Sequence, residues 1–257
     1  MQLKWKQKNF KDDIDFILFH QKDDTPQWWR KQLFKAYPDL NYEYAQSLSE
    51  SKRFEYITEQ MKIQAEKRKD VIKNSIQMFQ EKWDTNVADK LNTAYTSAFD
   101  NDCVNILNNM TAQVGLNPIC PRDIEHHSFD VYYYFESDYA MSTALHEITH
   151  FVWFYFWHKH FKDKRTEYDF PQLKWLLSEV VVETIIRNSQ INDLIEQPQY
   201  IAYSYFYDMK INGELVFDTM KKLYLGRKDI YNFMEKSYDW IKKNEQELRT
   251  KIAKAEK

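Results

Sequence analysis

Glycine and cysteine are scarce in this chain, and their scarcity argues against several functional classes. The 257 residues include 3 Gly and 2 Cys. Gly115, Gly213 and Gly226 lie far apart, so the glycine-rich loops that bind dinucleotides or nucleotide phosphates cannot form. Cys103 and Cys120 are too few for a disulfide scaffold, and Cys120 has no C-x-x-C partner that would indicate a metal site.

Long apolar runs and a strong charge of either sign are also missing. The formal net charge is -3, which gives no electrostatic footprint for nucleic acid. The most apolar run, residues 151–157, is far shorter than the roughly 18 residues of a membrane span. Charged residues follow Met1 where a secretory signal would have an apolar segment. We therefore expect a cytoplasmic protein that binds neither nucleic acid nor membrane, and its oligomeric state stays open.

Hydrophobic and aromatic residues, in contrast, are abundant. They make up 43% and 17% of the chain, which excludes a chain that is disordered throughout and suffices for a sizeable core. Helical periodicity dominates the first hundred residues, where Ile72, Ile76 and Phe79 begin an apolar stripe at steps of four and three. The sequence therefore predicts a mainly α-helical protein with a small β-sheet, an α+β fold.

The sequence character divides the chain into three regions, which we expect to pack as one compact unit. They are a helical N-terminal region at residues 1–100, a middle region at 101–190 and a helical C-terminal region at 191–257. In the middle region, residues 103–107 and 129–135 are predicted strands, the second because of its Val, Tyr and Phe content. Helices are predicted at residues 137–161, 171–188 (with Asp169 as N-cap), 214–225 and from 229 onward.

The strongest functional motif is the HExxH sequence His-Glu-Ile-Thr-His at residues 146–150. On a helix, positions i and i+4 share one face, so His146 and His150 can direct their imidazoles at one point. Zinc suits such a pair of ligands, and Glu147 beside them is placed to take a proton from metal-bound water. The surrounding apolar residues predict that this helix is buried.

Two carboxylates on the following helix strengthen the metal hypothesis. Glu179 and Glu183 stand four residues apart within an otherwise apolar run. A buried carboxylate is costly unless it meets a cation, and a zinc ion would supply one. The basic residues of that helix are Lys174 and Arg187, and they are the alternative source of positive charge for these two carboxylates.

These motifs resemble the zincin metallopeptidases, specifically the thermolysin-like gluzincin branch. The resemblance covers residues 129–187 and identifies no family within the branch. It implies a zincin-like catalytic core at residues 101–190 and one zinc ion held by His146, His150 and Glu179. It further implies that Glu147 is the general base and that Glu183 orients the first histidine. The metzincin pattern does not fit, because Trp153 and Phe156 stand where it requires Gly and His.

The residues leave several alternatives open. Glu183 rather than Glu179 can be the third ligand, since both share a helix face. Glu179 can instead be a buried ion-pair partner, and the HExxH motif can be a chance or decayed occurrence on a core helix. Outside the motif, His126, His127, His158 and His160 are interpreted as loop or helix-end residues.

The resemblance also implies a function and a donor for the oxyanion. We expect a zinc-dependent hydrolase that cleaves peptide bonds of a peptide or protein substrate, with residues 129–135 pairing with the extended substrate. A downstream Tyr or His commonly supplies the donor in gluzincins; Tyr203 is preferred here among Tyr200, Tyr203, Tyr205 and Tyr207. The alternative is a non-catalytic binding or regulatory module on a zincin-like scaffold.

Overall fold

The computed structural model describes residues 3–256, and helices make up most of this part of the chain. The helices are α1 (Phe10–Phe19), α2 (Gln27–Ala36), α3 (Tyr42–Ser47), α4 (Glu50–Asn86), α5 (Ala88–Phe99), α6 (Val104–Leu107), α7 (Ser137–Phe161), α8 (Leu173–Arg187), α9 (Tyr205–Asp208), α10 (Val216–Leu225) and α11 (Ile230–Ala255). The strands are β1 (Lys4–Gln7), β2 (Thr111–Gly115), β3 (Arg122–Asp123), β4 (Ser128–Tyr132), β5 (Lys210–Ile211) and β6 (Glu214–Leu215). The predicted mainly helical α+β class is confirmed.

The larger sheet positions the helix that carries the HExxH motif. Its strand order is β1-β2-β4-β3, with β1 and β4 parallel to β2 and β3 antiparallel to β4. All of β4 is buried, as its aromatic and β-branched residues favour; β2 pairs along its whole length and β3 pairs with Ser128 and Phe129. The chain passes from β4 into α7 after a short turn, so the sheet fixes where the motif helix begins.

A buried carboxylate joins α1 to the end of β2. The backbone N–H groups of Leu116 and Asn117 donate to Asp13, at 2.6 and 3.2 Å. Gly115 permits this approach, because a Cβ atom there would lie 2.6 Å from Asp13 Oδ2. This contact sets α1 beside β2 at one side of the cleft described below.

Helix α7 is the centre of the molecule. It is buried along most of its 25 residues and packs against α4, α8, α11 and β4. Because it is apolar on nearly every face, neighbours surround it rather than solvent. Its polar residues His146, Glu147 and His150 are consequently buried as well.

Most helix predictions hold, with shifts at the ends. The helix at residues 137–161 is confirmed, and so is α11, whose N-cap Asp229 accepts a hydrogen bond from the backbone of Asn232. The predicted helix at 171–188 begins only at Leu173 with Gln172 as N-cap, and Asp169 instead follows the last residue of a 3-10 turn at Arg165–Tyr168. Asp169 is therefore not its cap. Helix α10 begins at Val216, since the two residues before it pair with β5 as a strand.

The strand predictions were less accurate. Residues 103–107 were predicted as a strand, but Val104–Leu107 form the short helix α6, which packs against α7. Short apolar runs do not separate helix from strand by periodicity, and here the packing decides. The strand predicted at 129–135 is β4, which ends at Tyr132.

The hydrophobic core extends along nearly the whole chain. Buried residues from Leu3 to Leu248 form one cluster. Strand β1, within the predicted N-terminal helical region, joins the sheet of the middle region. None of the helices within residues 3–256 combines the length and the apolar character needed to span a bilayer.

Candidate metal centre

Helix α7 brings the two motif histidines together. His146 and His150 occupy adjacent turns, and their Nε2 atoms lie 3.1 Å apart. Both imidazoles are buried, at 3% and 0% exposure. The i, i+4 spacing therefore produces the convergence that the sequence predicts.

Helix α8 adds Glu179 to the pair. Its Oε1 atom lies 3.5 Å from His150 Nε2, and its Oε2 atom lies 3.8 Å from His146 Nε2. One ligand atom from each of the three residues falls within 4.8 Å of the others. Among residues 3–256, this is the group of side chains that could hold a metal ion. The three predicted ligands thus meet at one buried point.

The donor set fits a small divalent cation. Two imidazoles and a carboxylate are a common set for catalytic zinc, with bonds of about 2.0–2.2 Å. Tetrahedral bonds of that length separate two nitrogens by roughly 3.3 Å, close to the observed distance between the histidine Nε2 atoms. The geometry therefore supports a metal site, and it does not by itself identify the metal.

Glu183 does not contact the first histidine as the resemblance implied. Its Oε1 atom accepts a hydrogen bond from Arg187 Nε at 2.8 Å. Within the described residues, the Nδ1 atoms of His146 and His150 have no hydrogen-bond partner. Glu183 acts on His146 through its charge, which is one of the smaller contributions raising the pKa of that imidazole.

Arg122 is a residue of this centre that the sequence did not indicate. It lies on β3, and its Nη2 atom donates to Glu179 Oε1 at 3.0 Å while Nη1 lies 3.4 Å from Glu147 Oε2. The two basic residues on the helix of Glu179 have other partners, since Lys174 pairs with Asp163 and Arg187 with Glu183. No local pattern marks Arg122, since only the fold brings β3 to α7 and α8.

The pKa values at the centre reflect burial and the Arg122 charge. Burial raises the pKa of Glu147 above its usual value, although the Arg122 and His146 charges oppose this shift. Burial also acts to raise the pKa of Glu179, but the Arg122 charge and contacts with His146 lower it below the usual range. Burial, followed by the Arg122 charge, places the pKa of His150 far below that of a free imidazole. These shifts favour ionised Glu179 and neutral His150, the forms in which each ligates metal. Burial acts to lower the pKa of His146, but its contact with Glu179 and the charge of Glu147 raise that pKa above the usual value.

Tyr203 lies beside the centre without touching it. Burial and then the charge of Glu179 raise the pKa of its hydroxyl well above the usual value. Its ring packs against Trp28 of α2 and Trp175 of α8, with centroids 6.2 and 5.9 Å away. Tyr205 stacks on Tyr203. Among the described residues, we find no hydrogen bond from the Tyr203 hydroxyl to the metal ligands.

The other candidate ligands lie elsewhere. His126 is exposed and contacts Asp123, and His160 contacts Glu235 on α11. His158 Nδ1 contacts the backbone carbonyl of Asp163 at the end of α7. Burial raises the pKa of the Cys120 thiol, which keeps it protonated. These residues do not extend the centre.

A cleft of about 670 Å³ adjoins the centre, and Arg122 belongs to both. Its lining includes acidic and basic side chains from α1, β3, β4 and the segment before α8. The peptide-pairing role predicted for residues 129–135 is limited at Phe129, where Arg122 of β3 already pairs with β4, and β4 ends at Tyr132. The edge strand of the sheet on this side is β3.

Comparison with known proteins adds no family assignment. A scan against protein-family models, a search of curated proteins and a search of solved structures each gave no match. The functional argument therefore rests on the residues and their geometry.

Proposed function

We propose that this protein is a zinc-dependent peptidase with a zincin-like core formed by the larger sheet, α7 and α8. The observation that carries the proposal is the meeting of His146, His150 and Glu179, with Glu147 of the same motif beside them. A buried cluster of this composition has few uses other than metal binding, and the HExxH order adds a base at the position that hydrolysis requires.

In the proposed reaction, each side chain of the centre has a separate role. Metal bound by the two histidines and Glu179 supplies Lewis acidity toward the scissile carbonyl and lowers the pKa of water. Glu147 accepts the proton of the attacking water at Oε1 and delivers it to the leaving amine. Arg122 contacts the other carboxylate oxygen, Oε2, and so holds Glu147 in one orientation.

The cleft and β3 provide the route for the substrate. An extended peptide would add to the free edge of β3 through main-chain hydrogen bonds and bring its scissile bond toward Arg122 and Glu147. Tyr203 is the proposed donor to the oxyanion that develops at the carbonyl. This assignment requires the Tyr203 hydroxyl to turn toward the substrate when the cleft is filled.

Metal removal and replacement test the proposal directly. We expect the purified protein to bind one zinc ion per chain, to lose peptide hydrolysis on chelation and to regain it when zinc is restored. His146→Ala and His150→Ala should abolish both zinc binding and hydrolysis, whereas His160→Ala on the same helix should retain them. Inductively coupled plasma mass spectrometry and cleavage of a peptide mixture provide the two measurements. Absence of zinc binding would refute the centre.

A second candidate function is a non-catalytic binding module on the same scaffold. The observation that favours it is the low exposure of the centre, where His146, Glu147 and Glu179 are each 5% exposed or less. Arg122 also neutralises the carboxylates without metal. Stoichiometric zinc without hydrolysis of any tested peptide would favour this module over the peptidase.

Tyr203→Phe tests the proposed oxyanion donor. We expect kcat to fall about 100-fold with zinc content unchanged, because a preorganised donor acts on the transition state rather than on metal binding. Steady-state kinetics on the zinc-loaded protein measures this. Tyr205→Phe, on the ring stacked against Tyr203, is the control and should stay near wild type. A Tyr203→Phe variant with unchanged kcat would remove Tyr203 from the mechanism.

A further inference from the structure

The buried charges around the centre are unevenly matched. Glu147 and Glu179 lie within hydrogen-bond or ion-pair distance of a single guanidinium, that of Arg122. The neighbouring carboxylates have cations of their own, since Glu183 pairs with Arg187 and Asp130 with Lys8. Arg122 therefore serves two buried carboxylates at once.

The contact of Arg122 with Glu179 involves the oxygen nearest His150. Glu179 Oε1 is 3.0 Å from Arg122 Nη2 and 3.5 Å from His150 Nε2. The same negative charge therefore faces the guanidinium on one side and the imidazole pair on the other. A divalent ion bound between the imidazoles would share this carboxylate with a second cation a few ångströms away.

We infer that Arg122 is the internal counter-ion of the metal-free centre and that it competes electrostatically with a divalent cation for Glu179. The inference rests on the metal centre proposed above but not on peptide hydrolysis. In the metal-free protein, Arg122 stabilises the two buried carboxylates of Glu147 and Glu179. When metal binds, the two positive charges repel each other in a poorly solvated site.

Because the charge of Arg122 and metal binding are thermodynamically linked, their competition can be measured as a change in zinc affinity. If Arg122 and the metal oppose each other, removing the guanidinium must tighten metal binding and destabilise the metal-free protein. A residue that only supports the shape of the site behaves in the opposite way, because its loss loosens the ligands and weakens metal binding. The direction of the change in zinc affinity therefore separates the two roles.

The experiment measures zinc affinity by competition with a chromophoric chelator for wild type, Arg122→Lys and Arg122→Gln. We expect Arg122→Gln to bind zinc about tenfold or more tightly than wild type, and to unfold at a lower temperature when metal-free. Arg122→Lys keeps the positive charge and should stay near the wild-type affinity. Equal or weaker zinc binding by Arg122→Gln overturns the inference.

A second pair of variants guards against failure of Arg122→Gln to fold. Glu147→Gln and the double variant Arg122→Gln/Glu147→Gln differ only in the guanidinium. Both lack one of the two carboxylates that the guanidinium neutralises, so its removal leaves fewer buried charges unpaired. The double variant should bind zinc more tightly than Glu147→Gln. Zinc binding by wild type without this difference refutes the inference alone, whereas no zinc binding by wild type refutes the metal centre together with it.

Discussion

Replacing Glu147 by Gln is expected to reduce peptide hydrolysis about a thousandfold while zinc still binds at one ion per chain. Proton transfer by a positioned side chain typically contributes 10²- to 10⁴-fold to a rate. The amide has nearly the same shape as the carboxylate and still accepts from Arg122, but it cannot take a proton from water. Measuring kcat and metal content on the same preparation separates loss of the base from loss of the metal.

The matched control for Glu147→Gln is Glu235→Gln, which makes the same chemical change on an exposed residue of α11. Glu235 is 53% exposed in its side chain and contacts His160 at the far end of α7. This variant should hydrolyse peptides like wild type. Undiminished hydrolysis by Glu147→Gln would show that another group accepts the proton, and the proposed mechanism would be wrong.

The helices were predictable where local signals set their ends. Asp229 begins α11 because its side chain caps the first turn, and such a cap is visible in the sequence. Helix α6 was missed because a short apolar run has no period, and its packing against α7 is a property of the whole fold. The same holds for β3, because no pattern in its residues predicts that it pairs with β4.

The candidate site also contains features that local spacing predicts and features that only the whole fold produces. His146 and His150 converge because helix geometry alone places them on one face, so their spacing carries the information. Arg122 reaches Glu147 across 25 residues and Glu179 across 57 residues of sequence. Those contacts depend on the register of β3 on β4 and on the packing of α8 against α7. No sequence spacing encodes either of them.

The choice between Glu179 and Glu183 illustrates how geometry resolves an ambiguity that spacing leaves. Both carboxylates lie on one face of α8 and both are buried. Glu179 directs its oxygens at the imidazole pair, whereas Glu183 is paired with Arg187 at 2.8 Å. Glu179 is consequently assigned as the third ligand in the proposed centre.

Glu179→Gln and Glu183→Gln test this assignment as a matched pair on one helix. We expect Glu179→Gln to weaken zinc binding by more than about 100-fold, because a neutral amide replaces a charged ligand. Glu183→Gln should weaken it about tenfold or less, the lower end of the range for groups outside the ligand set. Chelator competition gives both affinities, and far-ultraviolet circular dichroism confirms that each variant is folded.

Three outcomes of this comparison have different meanings. The reverse order of affinities would make Glu183 the ligand and require α8 to turn about its axis when metal binds. Unchanged affinity in both variants would leave zinc on the histidines without a carboxylate from α8, and Glu179 would then be an ion-pair partner of Arg122 only. The expected order, with Glu179→Gln far weaker, means that the carboxylate paired with Arg122 in the metal-free protein also binds the metal.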